Sequence, residues 1–288
     1  MESKKKGIGV VLVNYHTTEQ IIKIAKMYDE FACIDRVVIV NNDTHIGEKQ
    51  ELKKIESTSI HVIFETENLG YSKGNNIGLR DLDNHNMCYA IISNSDIVVD
   101  EKTILSLISN LNDMPQFGAL APRMINSASG LVPLRAIPLG YKRLFLQVFI
   151  SNLDKKTEHQ LSVNEHGIVQ QSFLPGSFFI CKMEAILKCN MFDSNVFLYR
   201  EEEILAERLK KKGYLVGVSN NTSFLHNHLY EKESFEKVVK GKKMEHISER
   251  YYFKKYLKAS PIQMMYVNFF EFLYTVRWAI RHIIKNGW

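Results

Sequence analysis

Four groupings of residues in the sequence have the chemistry to bind or move charge. Asp96 ends a short apolar run, with Asn94 two residues before it. That spacing places both side chains on one face of an extended segment. A carboxylate beside an amide oxygen suits a hard divalent cation that also holds a diphosphate, although Asn-Ser-Asp taken alone is a common turn. Asn68, Gly70, Lys73, Gly74, Asn75, Asn76 and Gly78 form the second grouping. Glycines at a helix start let backbone amides approach a phosphate. Neither P-loop nor G-x-G-x-x-G spacing is present, and a glycine-rich helix packed close to a sheet has the same pattern. Glu201, Glu202 and Glu203 open a charged segment directly after the apolar, aromatic stretch from Phe192 to Tyr199. A general base in such surroundings gains the raised pKa that proton abstraction needs, whereas acids at a helix start also serve as dipole partners. His226 and His228 end a strand-like run. His226 with Asp96 completes a mixed O/N cation site; a lone histidine more often has a structural role.

The elements that must position these residues follow from hydrophobic patterning. Ile8–Val13 and Arg36–Asn41 are short, β-branched, continuously apolar runs, the pattern of strands buried on both faces of a parallel sheet. Ile60–Phe64 is a third strand and Tyr89–Ser93 a fourth, continued by Ile97–Val99. Helical spacing predicts a helix capped by Thr17 or Thr18, a short one over Glu48–Ile55, one following the Asn68–Gly78 loop, and one over Glu101–Leu111. This alternation is that of a doubly wound α/β sheet with helices on both faces. Such sheets bind ligands beyond the carboxyl ends of their strands, and polar clusters fall there four times in succession, among them Asn14-Tyr15, Asn41-Asn42-Asp43-Thr44 and Asn94-Ser95-Asp96. After Pro115 the pattern loosens. It predicts strands at Gly118–Ala121, within Ser172–Cys181, at Leu215–Val218 and at Ser223–His226. Helices are expected over Tyr141–Leu153, Met183–Cys189, Glu201–Lys212 and, broken at Pro261, Ser248–Gly287.

The chain has 288 residues, 45% of them apolar and 24% charged, with 37 basic against 32 acidic side chains and a formal net charge of +5. These values exclude a disordered or fibrous chain and fall short of the basicity of a nucleic-acid binder, so no nucleic-acid partner is expected. Cys33, Cys88, Cys181 and Cys189 are far apart with no Cys-x-x-Cys pair, which fits buried thiols in a reducing cytosol. The N-terminal residues lack the shape of a signal peptide. No run of 18 uncharged apolar residues argues for a spanning helix.

In their order along the chain, these motifs resemble glycosyltransferase family 2, of the GT-A fold, and especially its rhamnosyltransferase-like and capsule or O-antigen polysaccharide branch. The matching segments are Leu12-Val-Asn-Tyr15, Asn41-Asn-Asp-Thr44, Asn68 through Gly78, Asn94-Ser-Asp96, Gly176-Ser-Phe-Phe179 and Phe192 through Glu202, with Arg208 and Gly213-Tyr214 following. The resemblance implies a GT-A catalytic domain over 1–245, its nucleotide-binding half over about 1–115 and its acceptor half over about 116–245. It implies an inverting transfer of a sugar from a UDP- or dTDP-linked donor to a glycan hydroxyl, on a lipid-linked intermediate of bacterial surface polysaccharide. Asn14, Tyr15, Asn41, Asp43, Asn68, Gly70, Lys73, Asn75, Asn76, Asn94, Ser95 and Asp96 would then bind the nucleotide sugar, with Asn41 touching the base. Asp96 and His226 would hold Mg2+ or Mn2+, Gly176 and Ser177 would face the acceptor, and Glu202 would be the base, with Glu201 beside it as the other choice. Three departures stand out: Asn41 replaces an acid, Glu202 replaces Asp, and Asn94-Ser95 replaces Asn-Pro.

Residues 246–288 are expected to form a helical extension whose part from Met264 to Ile284 is apolar nearly all round, with Arg277, Arg281, His282 and Lys285 near its end. Basic charge with Trp and Phe suits an anionic membrane surface, and packing on the catalytic domain or on a second copy of the chain is the other reading. The expected place is the cytoplasmic face of the cell membrane. Two rival functions stand beside the transferase: a non-catalytic GT-A-like scaffold that binds glycan or membrane, and a nucleotidyltransferase. The latter would want a glycine-rich basic loop after the first strand, where Asn14–Thr18 has no glycine and only His16 as a basic side chain.

Overall fold

The structure, a computed structural model, describes residues 7–227 and 235–286. In chain order the elements are β1 (Ile8–Asn14), α1 (Thr18–Asp29), β2 (Arg36–Asn41), α2 (Ile46–Lys53), β3 (Ile60–Phe64), α3 (Tyr71–Asn84), β4 (Tyr89–Ser93), β5 (Ile97–Val98) and α4 (Glu101–Asp113). They continue with β6 (Phe117–Asn126), β7 (Gly130–Leu131), α5 (Tyr141–Phe149), α6 (Leu153–Thr157), β8 (Ile168–Gln171), β9 (Phe178–Lys182) and α7 (Met183–Lys188). The last are α8 (Glu201–Lys210), β10 (Leu215–His226), α9 (Phe235–Lys255) and α10 (Pro261–Asn286). One sheet runs β3-β2-β1-β4-β9-β6-β10-β5, with β7 on β6 and β8 on β10. Strands β3, β2, β1 and β4 are mutually parallel, as are β6 and β10, while β9 lies antiparallel between β4 and β6.

Alternation along β1 explains the two-sided burial. Val10 and Leu12 face α1 and α4 in one apolar layer, and Val11 faces α3 in the other, as a period of two requires. Helix α3 lies so close to the sheet that a Cβ on Gly78 would stand 2.4 Å from Val11 Cγ1. The glycine-rich pattern at Gly74 and Gly78 therefore serves helix packing.

Several expectations are corrected. Ile97–Val98 does not continue β4: after a turn at Asn94–Asp96 it pairs antiparallel with Leu225 and His226 of β10. Asn94 and Asp96 therefore do not share a face of an extended segment. Leu215–His226 is one long strand with a bulge between Ser219 and Ser223, because its neighbour β6 is itself ten residues long and carries it through the polar stretch. Thr17 stands at the N-cap of α1 but its side chain makes no cap bond; its hydroxyl donates to Asn14 Oδ1 instead. The helix expected at Tyr141–Leu153 ends at Phe149, and α6 begins at Leu153.

The C-terminal helices pack on the rest of the molecule through one face. Val267 and Phe270 of α10 join Tyr252 and Phe253 of α9, Leu144 of α5 and Ile204 of α8 in a third apolar cluster. Burial of such side chains is worth roughly 1.5–3 kcal/mol each. Asp193, 4% exposed, accepts hydrogen bonds from Tyr251 and Tyr256 and pins α9 to the Phe192 segment. Helix α9 runs unbroken across residue 245. Arg277 is not a free surface cation: it donates to the carbonyls of Gln147 and Val148 and to Ser151 Oγ at the end of α5. The side chains of Arg281, His282 and Lys285, and all of His228, lie outside the described residues.

Candidate active site

The carboxyl ends of β1, β2 and β4, the start of α3 and the start of α8 converge on one region. Its centre is the Tyr71 hydroxyl, which donates to the Gly176 carbonyl at 2.7 Å and to Asn94 Oδ1 at 3.3 Å. Burial raises the Tyr71 pKa well above the usual phenol value, and the nearby charges of Glu202, Glu201 and Asp96 push it further. Tyr71 thus has three of the expected site acids as electrostatic neighbours and two expected site residues as partners. Its signal in the sequence is only its place directly after Gly70, within the Asn68–Gly78 segment. Gly70 itself is required: its φ is +82°, and a Cβ there would meet the Phe197 carbonyl oxygen at 2.5 Å.

The structure divides the three glutamates by environment. Tyr199 and Arg200 both adopt positive φ, 69° and 65°, which turns the chain sharply into α8. Glu203 is buried and ion-paired with Arg135 at 2.7 Å and Arg200 at 3.3 Å. Burial opposes its charge, but the two guanidinium groups outweigh this and hold it below the ordinary range. Glu202 is half-buried and extends to Gly176, where a Cβ would stand 1.7 Å from its Oε1. Burial, then the charges of Glu201 and Glu203, raise its pKa well above normal. Glu201, 5% exposed, is pushed up to about 7, chiefly by burial. A carboxyl with so high a pKa takes up protons near neutral pH, which is the requirement for a general base.

Asp96 and His226 meet as expected, Oδ1 to Nε2 at 3.2 Å, with each side chain less than a fifth exposed. The Asp96 carbonyl accepts from the Asn227 amide at 2.7 Å. An oxygen and an imidazole nitrogen this close can share one ion, and the imidazole makes the pair better suited to Mn2+ than to Mg2+. The Asn94 backbone amide donates to the Ser177 carbonyl at 2.8 Å, which ties the Asn94–Asp96 turn to the Gly176-Ser177 segment. Ser95 Oγ donates to Gln20 at 3.2 Å.

The expected base-contacting residues are arranged otherwise. Asn14 and Asn41 stand opposite each other in parallel register and are both fully buried. Asn14 Nδ2 donates to Asn41 Oδ1 at 2.7 Å, and Asn41 Nδ2 donates to the Asp43 carbonyl at 2.8 Å. The Asn41 oxygen is therefore engaged within the protein. Asn76 likewise spends its amide on the Phe192 backbone, donating at 3.0 Å and accepting at 2.9 Å, so it clasps α3 to the Phe192 segment. Asn75 donates to the Tyr71 carbonyl, and Asn68 Oδ1 accepts from the Gly70 amide. Lys73 and Tyr15 are exposed. Asp43 is 1% exposed, and its two oxygens are each 2.6 Å from a histidine Nδ1, of His16 and of His45. Among the described residues, His16, Asp43, His45 and Glu48 bring one possible ligand atom each within 4.8 Å of one another. Neither histidine carries a ligand signal in the sequence, because their meeting depends on two loops that are about 30 residues apart.

No protein-family model matches the chain. It is 23% identical over 231 residues to a low-salt glycan biosynthesis hexosyltransferase, Agl10 of Haloferax volcanii, an alignment covering 80% of this chain and 70% of that protein. Among solved structures it resembles the mannosyltransferase PcManGT from Pyrobaculum calidifontis, in complex with GDP-Man and Mn2+. The TM-score is 0.60 at 12% identity, over 100% of this chain and 77% of that one. It also resembles GalNAc-T7 with UDP, GalNAc and Mn2+, at a TM-score of 0.57 and 11% identity. There the match covers 81% of this chain but only 46% of GalNAc-T7. The chain has a GT-A-like glycosyltransferase fold.

Proposed function

We propose that this protein is an inverting glycosyltransferase that moves a sugar from a nucleotide-diphosphate donor to a glycan hydroxyl. The observation that carries the reading is the placement of the Glu202 carboxylate against Gly176, with Tyr71 linking Gly176 to the Asn94–Asp96 turn. Glu202 takes the proton of the acceptor hydroxyl. The freed oxygen attacks the anomeric carbon opposite the diphosphate, the bond to the diphosphate breaks, and configuration inverts. Asp96 and His226 would hold Mg2+ or Mn2+, which when bound neutralises charge on the leaving diphosphate. Glu203, locked to two arginines, holds α8 in place, and Glu201 is the alternative base.

The donor assigned from the sequence is UDP- or dTDP-linked, and the acceptor is a lipid-linked intermediate of surface polysaccharide. Supporting a membrane-adjacent acceptor, Phe145 and Phe149 of α5 and Phe269, Phe272, Val276 and Ile280 of α10 are exposed, on the side of α10 opposite Val267 and Phe270. No helix among the described residues is long and apolar enough to cross a membrane, so the contact proposed is peripheral, on the cytoplasmic face.

The test is calorimetric titration of UDP, dTDP and GDP, each with and without Mn2+, against the native chain and Asp96→Ala. Metal-dependent binding of one nucleotide that is lost in the variant supports the reading. Binding indifferent to both metal and Asp96 would overturn the site, and no binding at all would favour the non-catalytic scaffold.

A further inference from the structure

Strands β1 and β2 run parallel with Asn14 opposite Asn41, and two residues beyond each lie His16 and Asp43. The short connection from Asp43 to α2 then supplies His45 and Glu48. His16 Nδ1 and His45 Nδ1 lie 2.6 Å from different oxygens of the Asp43 carboxylate. The backbone amides of His16 and His45 donate to the same two oxygens at 3.1 and 3.0 Å. Glu48 Oε2 accepts from Thr18 Oγ1 at 2.7 Å, and Thr18 accepts from Asn14 at 2.9 Å. Glu48 is thus held by Thr18 from outside the cluster and Asp43 by the backbone amides of His16 and His45, and such outer hydrogen bonds are how metal ligands are oriented. His16 has a φ of 58°, a conformation uncommon for a residue with a side chain.

We propose that His16, Asp43, His45 and Glu48 bind one zinc-class divalent ion, at a site separate from Asp96 and His226. The donor set decides the class. Two imidazoles with two carboxylates suit zinc and its late first-row neighbours, whereas magnesium and calcium take oxygen shells. Ligands about 2.1 Å from one tetrahedral ion lie about 3.4 Å from each other. The four ligand atoms lie within 4.8 Å of one another; on loading, the 2.6 Å contacts of the two imidazoles with Asp43 would open and the longer separations close, by rotation of histidine side chains that are 49% and 66% exposed. The same exposure gives the ion its entry path. Strand β1 separates β2, which leads to Asp43 and His45, from β4, which leads to Asp96. Occupancy would fasten the loop after β1 to the start of α2, and the site stands whether or not the chain transfers sugar.

The experiment uses the full chain without an affinity tag, stripped with chelator, in an Asp96→Ala background that removes the other cation position. Zn2+ alone is titrated by calorimetry and Co2+ alone by visible absorption. The expected result is one ion per chain, the intense d–d bands of tetrahedral Co2+, and a rise in melting temperature on loading. His45→Ala and His16→Ala, both exposed positions that leave the fold intact, should each weaken Zn2+ binding by more than about 100-fold and abolish the Co2+ bands. Absence of binding, or binding that survives both histidine substitutions, would overturn the proposal.

Discussion

The Oε1 atom of Glu202 occupies the space that a side chain on Gly176 would need, 1.7 Å from the ideal Cβ position. Two residues drawn from distant parts of the sequence, one expected to face an acceptor and one expected to be a base, are thereby in contact. Gly176→Ala would push aside only the flexible end of Glu202, so the fold should survive. Displacement of a reacting group by about 1 Å can cost on the order of 100-fold in rate. The expected outcome is a transfer rate lowered by at least that much with an unchanged melting temperature, measured in a transfer assay and a thermal scan.

Glu202→Gln should abolish transfer while leaving nucleotide binding intact, since the amide keeps the shape but cannot take the proton. If turnover persists, Glu201→Gln is the variant expected to abolish it.

The rate should also carry the signature of the raised carboxyl pKa values. A base must be deprotonated to act, and burial raises Glu201 to about 7 and Glu202 well above its ordinary value. Activity should therefore climb with pH through the neutral range, instead of levelling off above the ordinary carboxylate range. A kcat profile already flat from pH 5 to 8 would count against both residues as the base.

Tyr71→Phe removes the hydroxyl that joins the Gly176 carbonyl to Asn94. Loss of one buried hydrogen bond should cost about 1–2 kcal/mol of stability. The informative result is a larger fall in kcat than in donor affinity, because the hydroxyl orders the Gly176 segment and the Asn94–Asp96 turn relative to each other.

Glu271 offers a test of the seam between α10 and the rest of the molecule. It is 2% exposed and pushed up to about 7, mainly by burial and then by Glu249, although Arg250 is 3.2 Å away. A raised carboxyl pKa means that the folded state takes up the proton, so the stability it contributes is present below pH 4.5 and is lost as pH rises toward 7. Glu271→Gln should accordingly stabilise the protein at pH 8 by roughly 2 kcal/mol and have little effect near pH 5. Thermal unfolding at the two pH values reads the difference. For membrane attachment, removal of residues 261–288 would strip Val267 and Phe270 from a shared core. The clean variant is Phe269→Asp with Phe272→Asp, which should abolish co-sedimentation with anionic vesicles without lowering the melting temperature.

The sequence alone was enough to place the parallel strands β1 to β4, the helices between them and the polar clusters at their ends. A fully buried parallel strand writes itself as a short β-branched run, and helices announce themselves by period. It was also enough to pair Asp96 with His226, through the order of motifs. Other outcomes were settled only in three dimensions. Which of three consecutive glutamates faces Gly176 and which binds Arg135 and Arg200 depends on the left-handed turn at Tyr199 and Arg200. That Asn14 and Asn41 hydrogen-bond to each other follows from the parallel register that sets them opposite. Tyr71 becomes central because its hydroxyl reaches a carbonyl 105 residues away. His16 and His45 become partners because neighbouring strands deliver their loops to a single carboxylate. Local patterning reports burial and period; long-range register, side-chain pairing and the sorting of like charges are properties of the packed chain.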